Sequence, residues 1–571
     1  MALNFPSPSL FNTLPWTDIQ PYFDDLEARE LTADTVNAWL ADWSRLAELL
    51  CERGARVRVA TVKDTTDTKA EAAFKDYLQN IFPHAEKGNN ALTKKLLESG
   101  LVPEGMEIPL REMRVEAEIF REENLPLQSE EHQISIQFNK IVGAQTVEWD
   151  GQETTIIQLG PLYQQSDRAT RERMWRLINV REQADRAAIN DLWTRVLSIR
   201  LQQAANAGFP GDYRAYRWKV RSRFDYSPKD CRTFHDAIEK VAVPAAGRVY
   251  EKHRQRLGVE ALRPWDLDLY QQTYPIFSDE IQPFDGEAEL LDQGSAVFHQ
   301  VDPALGAYFD TMRAAGLIDF LNRKGKGPGA FCTSFEASHL PFIFGNAVGQ
   351  AADVNTLLHE SGHAFHNFEV FHLPYTHQRN PPMEFNEVAS MAMELLASPY
   401  LTKDLGGYYT PEEAARARLR HLEKNLLFWP YMAVVDAFQH WVYENPDAAA
   451  DPVHCDAAWA EQWDRFIPFI DFTGLEEAKT LGWHRKRHIH RSPFYYIEYG
   501  LAQLGATQVW ANALQDQAGA VAAYQAALSL GGTVPLPELY QAAGAKFAFD
   551  AETLGEAVAL TEKVIGELEA V

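Results

Sequence analysis

Two histidines and a glutamate in the segment LLHESGHAFH, residues 357–366, could bind and use a metal ion. His359 and His363 are four residues apart, so in a helix their imidazoles lie on one face and can reach the same cation. Glu360 follows the first histidine, where its carboxylate can accept a proton from water without binding the metal. This HExxH spacing is typical of zinc-dependent hydrolysis. The alternative is a core helix that carries these residues by chance.

The third histidine of the segment, His366, does not fit the same ion. It lies seven residues beyond His359, roughly 10 Å along a helix axis at 1.5 Å per residue, whereas zinc–nitrogen bonds are about 2.1 Å long. We therefore expect His366 to pack inside the protein. Asp353 is a candidate N-cap of this helix, and the small Gly362 would let another element pack closely against it.

A catalytic zinc site needs a third protein ligand and one open position for water. The segment MEFNEVASMAMELLA, residues 383–397, has the pattern of an amphipathic helix, in which Glu384, Glu387 and Glu394 share a side with apolar residues. A carboxylate on an apolar face is costly unless it is paired or coordinated. Either Glu387 or Glu394 could therefore bind zinc, and a surface position is the alternative.

The segment HLPFIFGNAVG, residues 339–349, has the composition of a strand that leads into the histidine helix. A strand edge in this place could add an extended peptide by main-chain hydrogen bonds. Gly345 and Asn346 are then candidate substrate contacts. An ordinary buried strand is the alternative.

A compact group of aromatic residues and histidines follows much later, in HIHRSPFYYIEYGLAQLG, residues 488–505. Imidazole and phenol groups can donate hydrogen bonds to a tetrahedral oxyanion. Aromatic residues at this spacing are also common in helix packing. The candidates in this group are His488, His490, Tyr495, Tyr496 and Tyr499.

The composition is that of a folded protein with little affinity for polyanions. Of 571 residues, 46% are hydrophobic and 23% charged, close to the averages for globular proteins. The formal charge of -26 repels nucleic acids and anionic membranes, so we expect neither as a partner. A basic cluster alternates with aromatic residues between Arg214 and Arg223. We interpret it as a solvated helix or strand face.

The four cysteines, at positions 51, 231, 332 and 455, are far apart and form no CxxC pair. Neither a disulfide framework nor a thiolate zinc site is therefore indicated. The first residues, MALNFPSPSLFNTLPW, lack the features of a secretory signal. No window approaches the roughly 18 to 20 apolar residues that span a bilayer. We expect a cytoplasmic protein.

Hydrophobic periodicity predicts a mainly α fold with a small β-sheet beside the HExxH helix. Residues 1–130 form an N-terminal helical region, and residues 131–190 hold a small β hairpin and a connection. The hairpin is predicted from short alternating runs over residues 134–160, around the turn at Asp150–Gly151. Residues 191–571 form a helical catalytic region with the zinc site.

Three motifs occur together in the order and spacing of the M3 metallopeptidases: HESGHAFH, NEVASMAMELL and SPFYYIEYGLAQLG. The sequence most resembles the oligoendopeptidase F branch, which is related to thimet oligopeptidase and neurolysin. The specific motifs cover about residues 330–505. The resemblance implies a two-lobed helical clamshell of the zincin type around a deep substrate channel, with one Zn²⁺ per chain and short unfolded peptides as substrates.

The resemblance also implies a role for each metal-site residue. The zinc glutamate of the family is the first Glu of E-x-A-S, which is Glu387 here, so the zinc ligands are His359, His363 and Glu387. Glu394 then supports the site from behind the ligands, and Glu360 activates the water.

The third motif carries the residues that would contact substrate. Tyr495 matches the family's oxyanion tyrosine, and Tyr499, one turn later, is a candidate substrate contact. The family's substrate-binding histidine aligns best with His488. His490 stands where an aromatic residue is expected, so the choice between the two histidines stays open at this point.

The sequence thus predicts a zinc-dependent oligopeptidase that hydrolyses internal bonds of short peptides. One alternative is a zinc carboxypeptidase or dipeptidase on a similar scaffold, for which the basic cluster 214–223 could capture a terminal carboxylate. Another is a non-catalytic peptide-binding clamshell. The intact Glu360 argues against the latter, since a binding protein needs no proton acceptor beside two metal ligands.

Overall fold

The computed structural model describes residues 3–269, 272–277 and 281–570, with the side chain of Pro161 left aside. The fold is mainly helical, as predicted. The α-helices of the first half span Pro8–Phe11, Trp16–Ala28, Val36–Lys63, Thr68–Asp76, Phe82–Ser99, Glu107–Ile119, Asn124–Gly143, Ile156–Gln165, Arg168–Ala184, Arg186–Asn206, Tyr213–Val220 and Pro228–Leu257. Those of the second half span Gly286–Val301, Pro303–Ala314, Ala351–Val370, Met383–Ala397, Pro411–Glu444, Pro446–Ala449, Pro452–Phe466, Glu476–Thr480, Gly482–Arg485, Arg487–Arg491, Tyr496–Ala513, Gln517–Ser529, Leu536–Ala542 and Ala551–Leu568.

Shorter helical turns complete these elements. A π-helical turn spans Tyr77–Ile81, and 3-10 turns span Pro264–Asp266, Glu336–Ser338, Thr376–Gln378, Ser398–Tyr400 and Lys403–Leu405. Within the described ranges, none of the helices has the length and apolar character needed to cross a membrane. The cytoplasmic location stays a prediction.

The hairpin predicted at Asp150–Gly151 is present. It pairs β1 (Thr146–Trp149) with β2 (Gln152–Thr155) in antiparallel register. The two turn residues have φ values of 51° and 80°, the left-handed backbone that a tight two-residue hairpin requires. The hairpin is shorter than the segment 134–160, because residues up to Gly143 belong to a helix. Ile134 and Phe138, four residues apart, are both buried along that helix, so the helical period prevails there.

The second sheet consists of β3 (Ile318–Leu321), β4 (Phe331–Phe335) and β5 (Leu340–Ala347) in the order β3-β5-β4. β5 pairs with β3 in parallel and with β4 in antiparallel register. The strand that leads into the HExxH helix is therefore the central strand. We predicted a peptide-binding edge on this strand, and that position is wrong, because both of its edges are already paired. The neighbouring edge strand is β4.

The chain forms two compact units, each assembled from three separate segments. Unit 1 comprises Met1–Ala117, Ile281–Ala417 and Ala502–Phe547, and unit 2 comprises Glu118–Glu280, Arg418–Leu501 and Ala548–Val571. Unit 1 has a core around Trp39 and Trp43, and unit 2 has one around Trp175 and Trp265. The division at residues 130 and 190 stays a prediction.

Candidate active site

Three residues separate β5 from the HExxH helix, Ala351–Val370, and Asp353 fixes the start of this helix. Asp353 is the third residue of the helix and not its N-cap, which is Gln350. One oxygen of the Asp353 carboxylate accepts hydrogen bonds from the backbone N–H groups of Val348, Gly349 and Gln350, at 2.8, 2.9 and 2.8 Å. An acidic side chain in the first turn also suits the helix dipole. The turn from sheet to helix is therefore rigidly defined.

Gly362 brings the glutamate helix, Met383–Ala397, against the HExxH helix. A Cβ atom at Gly362 would lie 2.6 Å from the carbonyl oxygen of Ala389 and 2.7 Å from Cα of Ser390. The same carbonyl accepts a hydrogen bond of 2.7 Å from the Tyr524 hydroxyl. As the sequence predicted, the missing side chain permits a close helix crossing. The crossing sets how far Glu387 reaches toward the histidines.

His359, His363 and Glu387 converge on one point in unit 1. Their ligand atoms lie within 4.8 Å of one another. Oε2 of Glu387 is 3.5 Å from Nε2 of His359 and 3.7 Å from Nε2 of His363. Tetrahedral bonds of about 2.1 Å place neighbouring ligand atoms about 3.4 Å apart. The spacing of these three side chains fits a zinc ion, and the His₂Glu donor set is that of a catalytic site with an open position.

Glu394 lies on the opposite side of the His359 ring from Glu387. Its Oε1 is 2.8 Å from Nδ1 of His359, the ring nitrogen that does not face Glu387. A carboxylate that holds the second nitrogen of a metal-binding histidine fixes the ring and raises its basicity. The local residue pattern left open which glutamate would be the ligand, and the family resemblance implied Glu387. The geometry favours Glu387 for that role and Glu394 as its support.

The charges around the site also fit a cation. Burial lowers the pKa of His359, but the Glu394 hydrogen bond and the charges of Glu394, Glu387 and Glu360 outweigh it and raise that pKa to about 9. Burial lowers the pKa of His363 to about 4, so its imidazole is neutral at pH 7 and able to bind metal. Three carboxylates around two imidazoles leave excess negative charge in a largely buried place. A divalent cation would compensate it.

Glu360 is oriented by strand β4. It is buried, and burial raises its pKa to about 7, with the charge of His359 opposing the rise and that of Glu387 adding to it. The carboxylate accepts a hydrogen bond from the backbone of Cys332. A buried carboxylate with a pKa near neutrality can both accept and return a proton. This is the behaviour expected of a general base beside a metal.

His366 packs in the interior, as the helix geometry predicted. Its side chain is 3% exposed and meets the Phe385 ring edge to face, with 6.2 Å between the ring centroids. Burial lowers the pKa of His366 to about 4. It therefore belongs to the packing between the HExxH and glutamate helices.

Gly345 and Asn346 make structural contacts. A Cβ atom at Gly345 would lie 2.4 Å from the Phe320 ring, so a glycine is needed there for the two strands to pack. The Asn346 amide donates to the carbonyls of Gly327 and Gly329, at 2.7 and 2.8 Å. These bonds hold the glycine-rich loop before β4. They do not support the predicted substrate role of either residue, which stays untested.

His488, Tyr495 and Tyr499 form one half-exposed group in unit 2. The ring of His488 lies 5.7 Å from that of Tyr495 and 6.4 Å from that of Tyr499, measured between centroids. The two tyrosine rings are 5.0 Å apart. Burial lowers the pKa of His488 to about 3, with the neighbouring cations adding to the effect, so the imidazole is neutral at pH 7. The group offers neutral hydrogen-bond donors on one surface.

His490 is separated from this group. Its side chain is 5% exposed and stacks on Phe138, with centroids 4.4 Å apart, and on Trp483, with centroids 5.6 Å apart. Arg200 donates a hydrogen bond of 2.6 Å to its carbonyl oxygen. These contacts describe a core residue. Of the two histidines, His488 is therefore the better candidate for substrate binding.

The basic cluster Arg214–Arg223 is not the solvated face that we predicted. Arg223 is 6% exposed, and it binds the buried carboxylate of Glu498 at 2.7 Å. Nε of Arg221 binds the same carboxylate, also at 2.7 Å. Arg214 pairs with Glu444, and Lys219 pairs with Glu118. The alternating aromatic residues are buried, which brings the cations beside acidic partners in unit 2.

These ion pairs fix the start of the tyrosine helix, Tyr496–Ala513. Phe494 has a φ of 62°, which is rare for a bulky residue and is maintained only where the surroundings require it. Arg223 donates to the Phe494 carbonyl oxygen, and Gln439 accepts from its N–H at 2.8 Å. Arg221 also lies over the Tyr495 ring, 4.9 Å from its centroid. Tyr495 therefore directly follows a residue whose backbone conformation is fixed by these contacts.

The fold and the candidate site together define a mainly helical protein with a histidine–glutamate group able to bind a metal. The model of peptidase family M3 matches residues 162–558, more than half of the chain, and the chain belongs to that family. It is thus a peptidase of a metallopeptidase family, and the resemblance seen in the sequence motifs is confirmed.

Solved structures of similar proteins cover almost the whole chain. Pz peptidase A with an inhibitor is 25% identical, with a TM-score of 0.83, over 100% of this chain and 99% of that chain. A structure assigned as oligoendopeptidase F gives the same values. Another, from Bacillus anthracis str. Ames, is 22% identical with a TM-score of 0.80, over 98% and 97% of the two chains, and shows the fold alone. No curated protein sequence matches significantly.

Gly362→Ala should destabilise the helix crossing that carries Glu387. The added methyl group meets backbone atoms of the glutamate helix, and overpacking of this kind costs about 1–3 kcal/mol. We expect a loss of this size in the free energy of unfolding, measured with urea. Gly566→Ala is the matched control, because that glycine has no atom within 4 Å of a Cβ and alanine favours a helix by up to about 1 kcal/mol. Equal stability of both variants would contradict the close crossing.

Proposed function

We propose that this peptidase is a zinc-dependent oligoendopeptidase that hydrolyses internal bonds of short unfolded peptides. The observation that carries the proposal is the spacing of the donor atoms of His359, His363 and Glu387, at 3.5 and 3.7 Å across the two imidazole–carboxylate pairs. Such a spacing suits one tetrahedral ion. The ligand set and the charge around it support zinc as the cofactor, at one ion in this site.

His359, His363 and Glu387 would hold the ion, with Glu394 fixing the His359 ring. When bound, Zn²⁺ supplies Lewis-acid charge for the peptide carbonyl and acidifies a water. Glu360 takes the proton of the attacking water and delivers it to the nitrogen of the leaving amine. The pKa of Glu360, raised by burial to about 7, suits both transfers, since general acid–base catalysis is most efficient with a pKa near the working pH.

The tyrosine group of unit 2 supplies hydrogen bonds in this proposal. Tyr495 would donate to the oxyanion of the tetrahedral intermediate, and His488 and Tyr499 would contact the peptide. The two tyrosines have different neighbours. Arg221 lies over the ring of Tyr495, whereas Tyr499 lies one turn further along the helix. Preorganised donors of this kind contribute strongly to catalysis, because they need not reorient during the reaction.

An extended substrate would pair with strand β4. This strand is an edge of its sheet, and its Cys332 backbone already contacts the Glu360 carboxylate. Main-chain pairing gives affinity with little dependence on side chains, which suits a peptidase for varied short peptides.

The two alternatives have less support. A carboxypeptidase needs a cation for the terminal carboxylate, and most of the basic cluster is already engaged: Arg221 and Arg223 bind Glu498, and Arg214 binds Glu444. Arg217, which donates to the carbonyl oxygen of Pro493, is the member that this alternative would have to use. A binding protein without turnover has no use for a buried Glu360 beside the ligand group. The endopeptidase is therefore our proposal.

A peptide blocked at both ends tests the type of cleavage. The protein should hydrolyse an acetylated and amidated peptide of about ten residues at an internal bond, at a rate comparable to that of the free peptide, with products identified by mass spectrometry. Cleavage of the free peptide alone, one or two residues from its carboxyl end, would assign the protein to the carboxypeptidases instead.

Tyr495→Phe removes one oxyanion donor in this proposal. We expect kcat to fall about 10²- to 10³-fold, with little change in KM, in steady-state hydrolysis of a fluorogenic peptide. Tyr499→Phe is the comparison variant, because its hydroxyl would contact substrate in the ground state as well and should chiefly raise KM. A Tyr495→Phe enzyme with unchanged kcat would remove Tyr495 from the mechanism.

A further inference from the structure

A second group of potential metal ligands lies buried in unit 2. It joins two helices, Pro228–Leu257 and Pro411–Glu444. The first carries CRTFH at 231–235 and the second DAFQH at 436–440, so each helix presents a pair of polar side chains four residues apart on one face. The members of this group, which we call the buried cluster, are Cys231, His235, Asp436 and His440.

The buried cluster has the spacing of a metal site. The ligand atoms of Cys231, Asp436 and His440 lie within 4.8 Å of one another. Oδ2 of Asp436 is 3.4 Å from Nε2 of His440, close to the separation of about 3.4 Å expected for neighbouring ligands of tetrahedral zinc. His235 places its Nε2 2.9 Å from the same Asp436 oxygen. It thereby orients the carboxylate, as residues behind a metal ligand do.

Two members of the buried cluster, Asp436 and His440, have polar atoms without a hydrogen-bond partner among the described residues. The side chains of Cys231, His235, Asp436 and His440 are at most 3% exposed. Nδ1 of His440 and Oδ1 of Asp436 have no hydrogen-bond partner among the described residues, while Nε2 of His440 faces Oδ2 of Asp436 at 3.4 Å. An unsatisfied buried polar group costs about 1–3 kcal/mol, and more when it is charged. A cation bound between Asp436 and His440 would reduce this cost.

The side chains around the buried cluster are mainly aromatic, so the charge of Asp436 must be balanced within the cluster itself. Phe494 and Trp218 line His440, with ring centroids 5.0 and 5.9 Å away, and Phe466 lies 6.3 Å from His235. The nearby cation, Arg214, is engaged by Glu444. A hydrogen-bonded network without metal would pair Asp436 with His235 at 2.9 Å and with Nε2 of His440 at 3.4 Å. It leaves Oδ1 of Asp436 and Nδ1 of His440 without a partner among the described residues.

We propose that Cys231, Asp436 and His440 bind a second divalent metal ion, with His235 positioning Asp436. The thiolate, imidazole and carboxylate donors are those of zinc. Its complete burial makes this a structural site, in which metal binding contributes to the stability of unit 2. The site is separate from the His359–His363–Glu387 group, so the protein would carry two ions where the sequence predicted one.

Metal counting tests the proposal in the full-length protein. After loading with Zn²⁺ and removal of loosely bound ions, we expect about two zinc ions per wild-type chain by mass spectrometry of the metal, and about one in the His359→Ala/His363→Ala variant. Adding Cys231→Ser to that variant should leave almost none. Cys455→Ser is the matched control, because Cys455 is also a buried cysteine of unit 2 but lies outside the cluster, and it should retain the ion.

The absorption spectrum of the Co²⁺-loaded protein provides a second test, which does not depend on the stability of the Cys231 variant. Wild-type protein and the His359→Ala/His363→Ala variant loaded with Co²⁺ should both show a sulfur-to-metal charge-transfer band in the near ultraviolet, since a thiolate ligand is present only in the buried cluster. One zinc ion per wild-type chain, none in the double variant and no such band would overturn the proposal. Loss of zinc from the first site alone would bear only on the proposed catalytic function.

Discussion

Glu360→Gln is expected to bind zinc normally and to lose almost all peptide hydrolysis. The amide keeps the size of the side chain and can still contact the Cys332 backbone, but it cannot accept a proton from water. General-base catalysis contributes about 10²- to 10⁴-fold, so kcat should fall within this range. Steady-state hydrolysis of an internally quenched peptide, together with the metal content of the same preparation, gives both quantities.

Glu369→Gln is the matched control for this prediction. Glu369 lies on the same helix and accepts a hydrogen bond of 3.2 Å from Gln525, away from the ligand group. This variant should retain hydrolysis within a few-fold. If Glu360→Gln in pure, zinc-loaded form turns over peptide as fast as Glu369→Gln, Glu360 is not the base.

Glu387→Gln should lose zinc. Structural zinc sites bind with about 10–16 kcal/mol, which averages about 2.5–4 kcal/mol for each of four ligands, so replacing one ligand should weaken binding about 10²- to 10³-fold. Hydrolysis at limiting zinc should fall in parallel. Titration with a competing chromogenic chelator measures the affinity.

Glu394→Gln separates a ligand from a residue that supports one. Glu394 contacts Nδ1 of His359 and would not touch the ion, so we expect a weakening of only about 10- to 100-fold. Added zinc should restore hydrolysis in this variant at a concentration that does not restore Glu387→Gln. The reverse order of the two affinities would exchange their roles.

The HExxH pair could be predicted from the sequence because it depends only on helix geometry. Two residues four apart lie on one face of any helix, so His359 and His363 converge whatever surrounds them. The same geometry excluded His366. The choice between Glu387 and Glu394 was different, since both lie on one helix with apolar neighbours. Only the packing of the two helices at Gly362 determines which carboxylate meets which imidazole nitrogen.

Contacts between residues far apart in the sequence could not be predicted from local sequence patterns. The sequence around Arg221 and Arg223 has the pattern of a solvent-exposed face. In the structure both cations instead bind the buried carboxylate of Glu498, more than 270 residues later in the chain. Asn346 is a candidate substrate contact because its strand leads to the HExxH helix, and no local pattern indicates that its amide also holds the loop at Gly327 and Gly329. The order of the strands could not be predicted either, because nothing in the sequence of β5 shows that it is paired on both sides.

The buried cluster was missed for a related reason. Zinc sites with thiolates are usually recognised by paired cysteines at short spacing, and the cysteines of this chain have no such pairs. A single cysteine whose co-ligands come from a helix about 200 residues away leaves no local pattern. The one available signal was the presence of polar residues four apart on the otherwise apolar faces of the two charged helices 228–257 and 411–444.

Hydrolysis of an internally quenched, doubly blocked peptide with and without chelator shows whether this protein is a zinc peptidase. Wild-type protein should lose activity on removal of metal with 1,10-phenanthroline and regain it when stoichiometric Zn²⁺ is returned to the dialysed protein, while His359→Ala/His363→Ala stays inactive throughout. Hydrolysis that persists in metal-free wild type, or that equals it in the double variant, would contradict a zinc peptidase centred on these histidines.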